Sequence, residues 1–139
     1  MVNLLTGQKG SGKTQQMIEL ANQKVKDCDG NVIFIKNGHD DTYSLSFDIR
    51  AINMTDYPSI RSVDDYTGFI YGMLSANSDI QVIFIDGILR QSDINVDNIA
   101  RLVDRLSNIS TKHGVEFYMS VSADKAALAA VSNENCAFI

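Results

Sequence analysis

Apolar residues along this chain gather into four short runs, and between the runs they recur at every third or fourth position. The runs are "MVNLL" (1–5), "NVIFIK" (31–36), "QVIFID" (81–86) and "VEFYMSVS" (115–122), all rich in β-branched and aromatic side chains. The middle two are almost continuously apolar, as strands covered on both faces must be. A shorter run, "CAFI", follows at 136–139. Residues 96–112 set Val96, Ile99, Ala100, Leu102, Val103, Leu106 and Ile109 on one helical stripe, with Asn95 as N-cap candidate and Lys112, His113 and Gly114 as stop signals. Helices are predicted likewise over 13–26, through Met17, Leu20, Ala21 and Val25, and over 62–76, through Tyr66, Phe69, Ile70, Met73 and Leu74. Gly68 and Gly72 weaken the second of these. A short alanine-rich helix is predicted over 123–131, with Ser122 as its cap. The stretch "YSLSFDIRAINM" alternates Leu45, Phe47, Ile49 and Ala51 with polar neighbours, which predicts an exposed strand or hairpin added after the second main strand.

Strand and helix therefore alternate along the chain. That order predicts a three-layer α/β/α sandwich around a mostly parallel sheet of five or six strands, with ligands bound beyond the carboxyl ends of the strands. At 139 residues one domain is expected, burying roughly 65 to 70% of its unfolded surface, so neither disulfides nor a structural metal is required. Cys28 and Cys136 are too few for a four-cysteine zinc site, and no signal peptide or 18-residue apolar span is present. The expectation is a protein of the reducing cytosol with no membrane span. The net charge is −5 and the 12 basic residues are scattered, which argues against a nucleic-acid partner while leaving room for a local basic groove.

The candidate chemistry begins at the exit of the first run. "GQKGSGKT" comprises Gly7, Gln8, Lys9, Gly10, Ser11, Gly12, Lys13 and Thr14, and it fits GxxxxGK[ST] between a predicted strand and a predicted helix. Glycines let successive amide hydrogens turn inward toward an anion, and the following helix adds the positive end of its dipole. Lys13, expected to be exposed in the empty loop, would reach the β and γ phosphates of a nucleotide. Thr14 would offer its hydroxyl to a magnesium ion. The plainer alternative is a glycine-rich turn that caps a helix. A second feature is Asp86, a carboxylate at the end of a strand that is otherwise apolar; such a group is costly to bury without a cation. Its plainer alternative is an aspartate opening a turn before Gly87.

Residues 7–14 resemble the Walker A loop, and residues 82–86 the Walker B strand, of P-loop nucleoside triphosphatases. About 70 residues, with one complete strand and helix, separate the two motifs, a spacing similar to the RecA-like branch. The resemblance implies a P-loop fold with central strand order 5-1-4-3-2, ATP held by residues 7–14, magnesium held by Thr14 and Asp86, and Lys13 and Asp86 as catalytic groups. Ser120 and Ser122, ending the fourth run, stand where RecA-like proteins carry a polar residue that senses the γ phosphate; Ser122 equally suits a helix cap.

Many such proteins keep a glutamate beside the Walker B aspartate, and here that position is Gly87. Glu19, Glu116 and Glu134 are poorly placed to replace it. The substitutes lie in "KNGHDDTY", where Asp41 or Asp40 would serve as base or support the magnesium from behind its direct ligands and His39 would contact phosphate or base edge, unless the segment is only a polar turn around Gly38. Arg90 would act as a charge clamp or lie solvated on the surface. "IFIKNGHDDTYS" is also similar to thymidine kinases through Lys36, Asp41 and Tyr43, with Thr42 where arginine is usual. A ring-forming motor, the other comparison, would draw an arginine from a neighbour, with Arg50, Arg61, Arg101 and Arg105 available. The expected function is magnesium-dependent ATP binding with weak or partner-activated hydrolysis. The alternatives are a non-hydrolysing switch, whose loops at 37–46 and 87–95 regulate a protein partner, and a small-molecule kinase. A homo-oligomer or a regulatory protein is the expected partner class.

Overall fold

A computed structural model of the chain describes residues 1–37, 44–91 and 93–139. The elements are β1 (Val2–Thr6), α1 (Lys13–Asp27), β2 (Asn31–Lys36), β3 (Ile49–Asn53), α2 (Val63–Ala76), β4 (Ile80–Ile85), α3 (Ile99–His113), β5 (Glu116–Val121) and β6 (Cys136–Phe138). The six strands form one sheet in the order β3-β2-β4-β5-β1-β6, and every pairing in it is parallel. Three α-helices occur among the described residues. None is long and apolar enough to cross a membrane.

Strand periodicity explains how this sheet is covered. Alternate side chains point to opposite faces, so in β2 and β4 Val32, Phe34, Val82 and Phe84 pack with Met17, Ile18 and Ala21 of α1. Their neighbours Ile33, Ile35, Ile83 and Ile85 pack on the other face with Tyr66 and Ile70 of α2 and Ile99, Leu102, Val103, Leu106 and Ile109 of α3. One helix on one face and two on the other account for the near-continuous apolarity of the central strands. On the α1 face the register places Phe34, Phe84 and Tyr118 side by side across three strands. Phe84 stacks on Phe34 at 6.0 Å and on Tyr118 at 4.7 Å between ring centroids.

The helix over residues 63–76 starts from a capping box. Ser62 Oγ accepts from the Asp65 amide at 3.0 Å, and Asp65 Oδ2 accepts from the Ser62 amide at 3.1 Å and the Arg61 amide at 3.0 Å. These amide donors hold the Asp65 carboxyl below its usual range. Replacement of Ser62 by alanine is expected to cost about 1 kcal/mol of stability, read as a lowered denaturation midpoint; an unchanged midpoint would remove the cap.

The structure differs from the sequence expectation at three places, each decided by side-chain acceptors or tertiary contacts. The helix expected from residue 96 starts at Ile99, because Asn95 Oδ1 accepts from the amides of Asp97 (2.9 Å) and Asn98 (3.2 Å) and so holds the chain in a turn; Val96 is left exposed. The helix expected over 123–131 is reduced to one 3₁₀ turn at Lys125–Leu128, and Ser122 is not its cap. There the Ala123 carbonyl accepts from the Gly7 amide at 3.1 Å, which ties the segment to the loop after β1. The strand expected from Leu45 begins only at Ile49 and pairs in parallel with β2, so it is not a hairpin. Asn22 of α1 holds residues 44–46 in a turn, its Nδ2 donating to the Ser44 carbonyl at 2.9 Å and its Oδ1 accepting from the Ser46 amide at 2.8 Å.

Candidate functional site

Parity along the strands also builds the site. Phe84 faces α1, so Asp86, two residues further on, faces the first turn of that helix; Tyr118 faces α1, and so Ser120 follows it to the same place. Asp86 is 7% exposed and Ser120 2%. Both carboxylate oxygens of Asp86 are engaged: Oδ2 accepts from Thr14 Oγ1 at 2.8 Å and Oδ1 from Ser120 Oγ at 2.6 Å. Ser120 Oγ in turn accepts from the Gly87 amide at 2.8 Å. The Asp86 amide donates to the Ile35 carbonyl at 2.8 Å, fixing the carboxylate at the exit of β4.

The loop between β1 and α1 forms the rest of the wall. Gly7 sits at φ 147°, a conformation in which an L side chain is strained, and a Cβ there would also stand 2.9 Å from Ser11 Oγ and push it aside. Gly12 caps α1 in the left-handed region, at φ 87°. The amides of Lys9, Gly10, Gly12, Lys13 and Thr14 donate to no acceptor among the described residues. These same five residues line a cavity of about 380 Å³ together with Gln15, Asp86, Gly87, Arg90, Ser120 and Ser122. Unpaired amides at the start of a 15-residue helix form a positive concavity suited to an anion.

Lys13 is placed differently from the sequence expectation of an exposed side chain. It is 7% exposed, and its Nζ donates to the Gly7 carbonyl at 3.0 Å, the Gln8 carbonyl at 2.7 Å and Ser11 Oγ at 3.4 Å. Burial pushes its ammonium pKa below the ordinary lysine value; the Asp86 charge opposes that shift and the Arg90 charge adds to it. A buried cation with no carboxylate in contact is favoured by an incoming anion.

The other expected residues divide clearly. Ser120 lines the cavity, but its hydroxyl hydrogen is committed to Asp86, whereas Ser122 lines it with an exposed side chain. Asp41, with Asp40 and His39, lies outside the described residues. Among the described residues no cluster of three or more His, Cys, Asp or Glu side chains forms a metal cage. Glu116 pairs with Lys24 at 3.0 Å at the amino end of β5, away from the site. Of the four arginines that a neighbouring subunit could offer, Arg61 pairs with Asp93 at 3.6 Å, and Arg101 and Arg105 both pair with Asp64. Arg50 lies exposed on the edge strand β3.

Asn37 belongs to this region, and it opened the loop expected over 37–46 without a role of its own. Its Nδ2 donates to the Gly87 carbonyl at 3.2 Å, and its own carbonyl accepts from Arg90 Nη1 at 3.4 Å. The one signal in the sequence was its place one residue beyond β2, at the carboxyl edge of the sheet. No protein-family model matches the chain, and no curated protein matches it.

Proposed function

We propose that the cavity at the carboxyl ends of β1, β4 and β5 binds a magnesium nucleoside triphosphate, ATP being the expected ligand, and that the chain is a small RecA-like P-loop protein. The observation that carries this reading is the set of five unpaired loop amides lining a cavity together with Lys13, Thr14 and Asp86. Further support comes from the strand order. With the edge strand β3 set aside, the remaining strands run β6-β1-β5-β4-β2, which is 5-1-4-3-2 when the five are numbered along the chain.

The pair Thr14 Oγ1 and Asp86 Oδ2 fits a magnesium ion on its donor chemistry. Both are hard oxygens that meet at 2.8 Å beside the cavity and would hold the ion. Held there, the ion would neutralise phosphate charge. The chain's own groups supply the rest: the loop amides and the Lys13 ammonium bind phosphate oxygens, and Ser120 keeps the Asp86 carboxylate oriented. Among the described residues Asp86 is the sole carboxylate lining the cavity, and both its oxygens are taken by hydroxyl groups. Donors for a triphosphate are thus present, and among the described residues no free carboxylate is placed to activate water, which favours weak or partner-activated hydrolysis.

A non-hydrolysing switch is the second reading, favoured by the chain of hydrogen bonds from Asp86 through Ser120 to Gly87 and on to Asn37. Phosphate release with stoichiometric protein separates the two: slow release supports an ATPase, and binding without release supports a switch. Replacement of Asp86 by asparagine is expected to lower ATP affinity about tenfold in the presence of magnesium and to leave magnesium-free binding nearly unchanged. Titration calorimetry with and without the metal checks this, and equal loss in both conditions would refute the role of Asp86.

A further inference from the structure

The cavity collects three cationic side chains, Lys9, Lys13 and Arg90, against one carboxylate, Asp86, in a chain whose net charge is −5. Of the three, Arg90 is set apart by its backbone. Gly87 takes φ 72° and ψ 44°, and the Arg90 amide donates to its carbonyl at 2.9 Å, so the chain reverses immediately after Asp86. A Cβ on Gly87 would stand 3.3 Å from Arg90 Cδ. The arginine side chain is therefore laid back across the glycine toward the cavity that both residues line. An L side chain at position 87 would be strained in that conformation and would crowd the arginine.

The guanidinium is poorly engaged for a group so placed. Among the described residues it forms no ion pair, and its one hydrogen bond, to the Asn37 carbonyl, is long at 3.4 Å. It lines the same cavity as the buried ammonium of Lys13. Two cations lining one cavity, one buried and the other with spare donors, are an arrangement that a polyanion between them would relieve. Arginine suits that task because its planar fork donates to two phosphate oxygens at once.

The geometry points to Arg90 as the side chain that reads the terminal phosphate, so that the site prefers a nucleoside triphosphate to the diphosphate. This rests on the reading of the cavity as a nucleotide site. Lys13 is the residue read as facing the β and γ phosphates, and Arg90 is the exposed cation that lines the same cavity. The role would be supplied from within the same chain.

Calorimetric titration of the wild-type chain, Arg90→Ala and Arg90→Lys with magnesium ATP and magnesium ADP tests this. The wild type is expected to prefer ATP. Arg90→Ala should lose about tenfold in ATP affinity while its ADP affinity stays within about twofold, and Arg90→Lys, which keeps the charge but not the fork, should fall between. Thermal unfolding of nucleotide-free Arg90→Ala should match the wild type, because the side chain is exposed. Equal losses for ATP and ADP, no loss for either, or a wild type that binds both equally would overturn the inference alone. A wild type that binds neither nucleotide would overturn the nucleotide reading as well.

Discussion

Replacement of Lys13 by alanine is expected to weaken magnesium ATP binding by about 10- to 100-fold, as expected when one or two charge-assisted hydrogen bonds to phosphate are removed. The effect should fall on binding and not on folding. In the free protein the Lys13 ammonium is buried against the Gly7 and Gln8 carbonyls, and its desolvation cost offsets much of what those two hydrogen bonds contribute. Lys13→Met, which keeps the aliphatic stem and removes only the charge, should lose affinity to the same extent. Calorimetry of both variants, with circular dichroism to show a retained fold, is the measurement. Wild-type affinity in either variant would mean that the ammonium does not face the phosphates.

Phe84→Ala should be the most destabilising single change in the central sheet, costing about 3 to 5 kcal/mol, a large share of the roughly 5 to 15 kcal/mol typical of a domain. Phe84 is completely buried and is the middle ring of the column formed with Phe34 and Tyr118, so truncation leaves a cavity that three strands and α1 cannot all collapse to fill. Phe84→Leu should cost less, roughly 1 to 2 kcal/mol, because it retains most of the volume. The denaturant midpoint reads both. A midpoint for Phe84→Ala close to that of the wild type would show that the stacked column does not carry the α1 face. Nucleotide binding should weaken in Phe84→Ala as well, since Asp86 lies two residues along the same strand face and its geometry depends on that packing.

The central strands and the three α-helices were legible because their signals are local. Continuous apolar runs and stripes of period 3.6 reflect burial that any parallel sheet covered on both faces demands. The loop at 7–14 was legible for a similar reason: glycines at fixed offsets serve backbone shape, and Gly7, Gly10 and Gly12 all take positive φ. Where the expectation missed, a distant partner had intervened. Alternation over 45–51 looks like a strand until Asn22, on another element, captures the backbone at 44 and 46. Alanine-rich residues 123–131 look helical until the first of their carbonyls is taken by Gly7.

The candidate site shows the same division. Sequence alone established that Lys13, Thr14 and Asp86 stand at the ends of their elements, because period and turn chemistry are properties of neighbouring residues. Tertiary structure decided the rest: that Thr14 and Ser120 occupy the two oxygens of one carboxylate, that Lys13 is folded onto its own loop, and that Arg90 lies back over Gly87. These are relations between residues up to 72 positions apart, or between a side chain and a backbone that must first turn. Hydrogen-bond direction and burial at such a meeting point depend on the sheet register and on the packing of α1 against it, which no window of sequence contains.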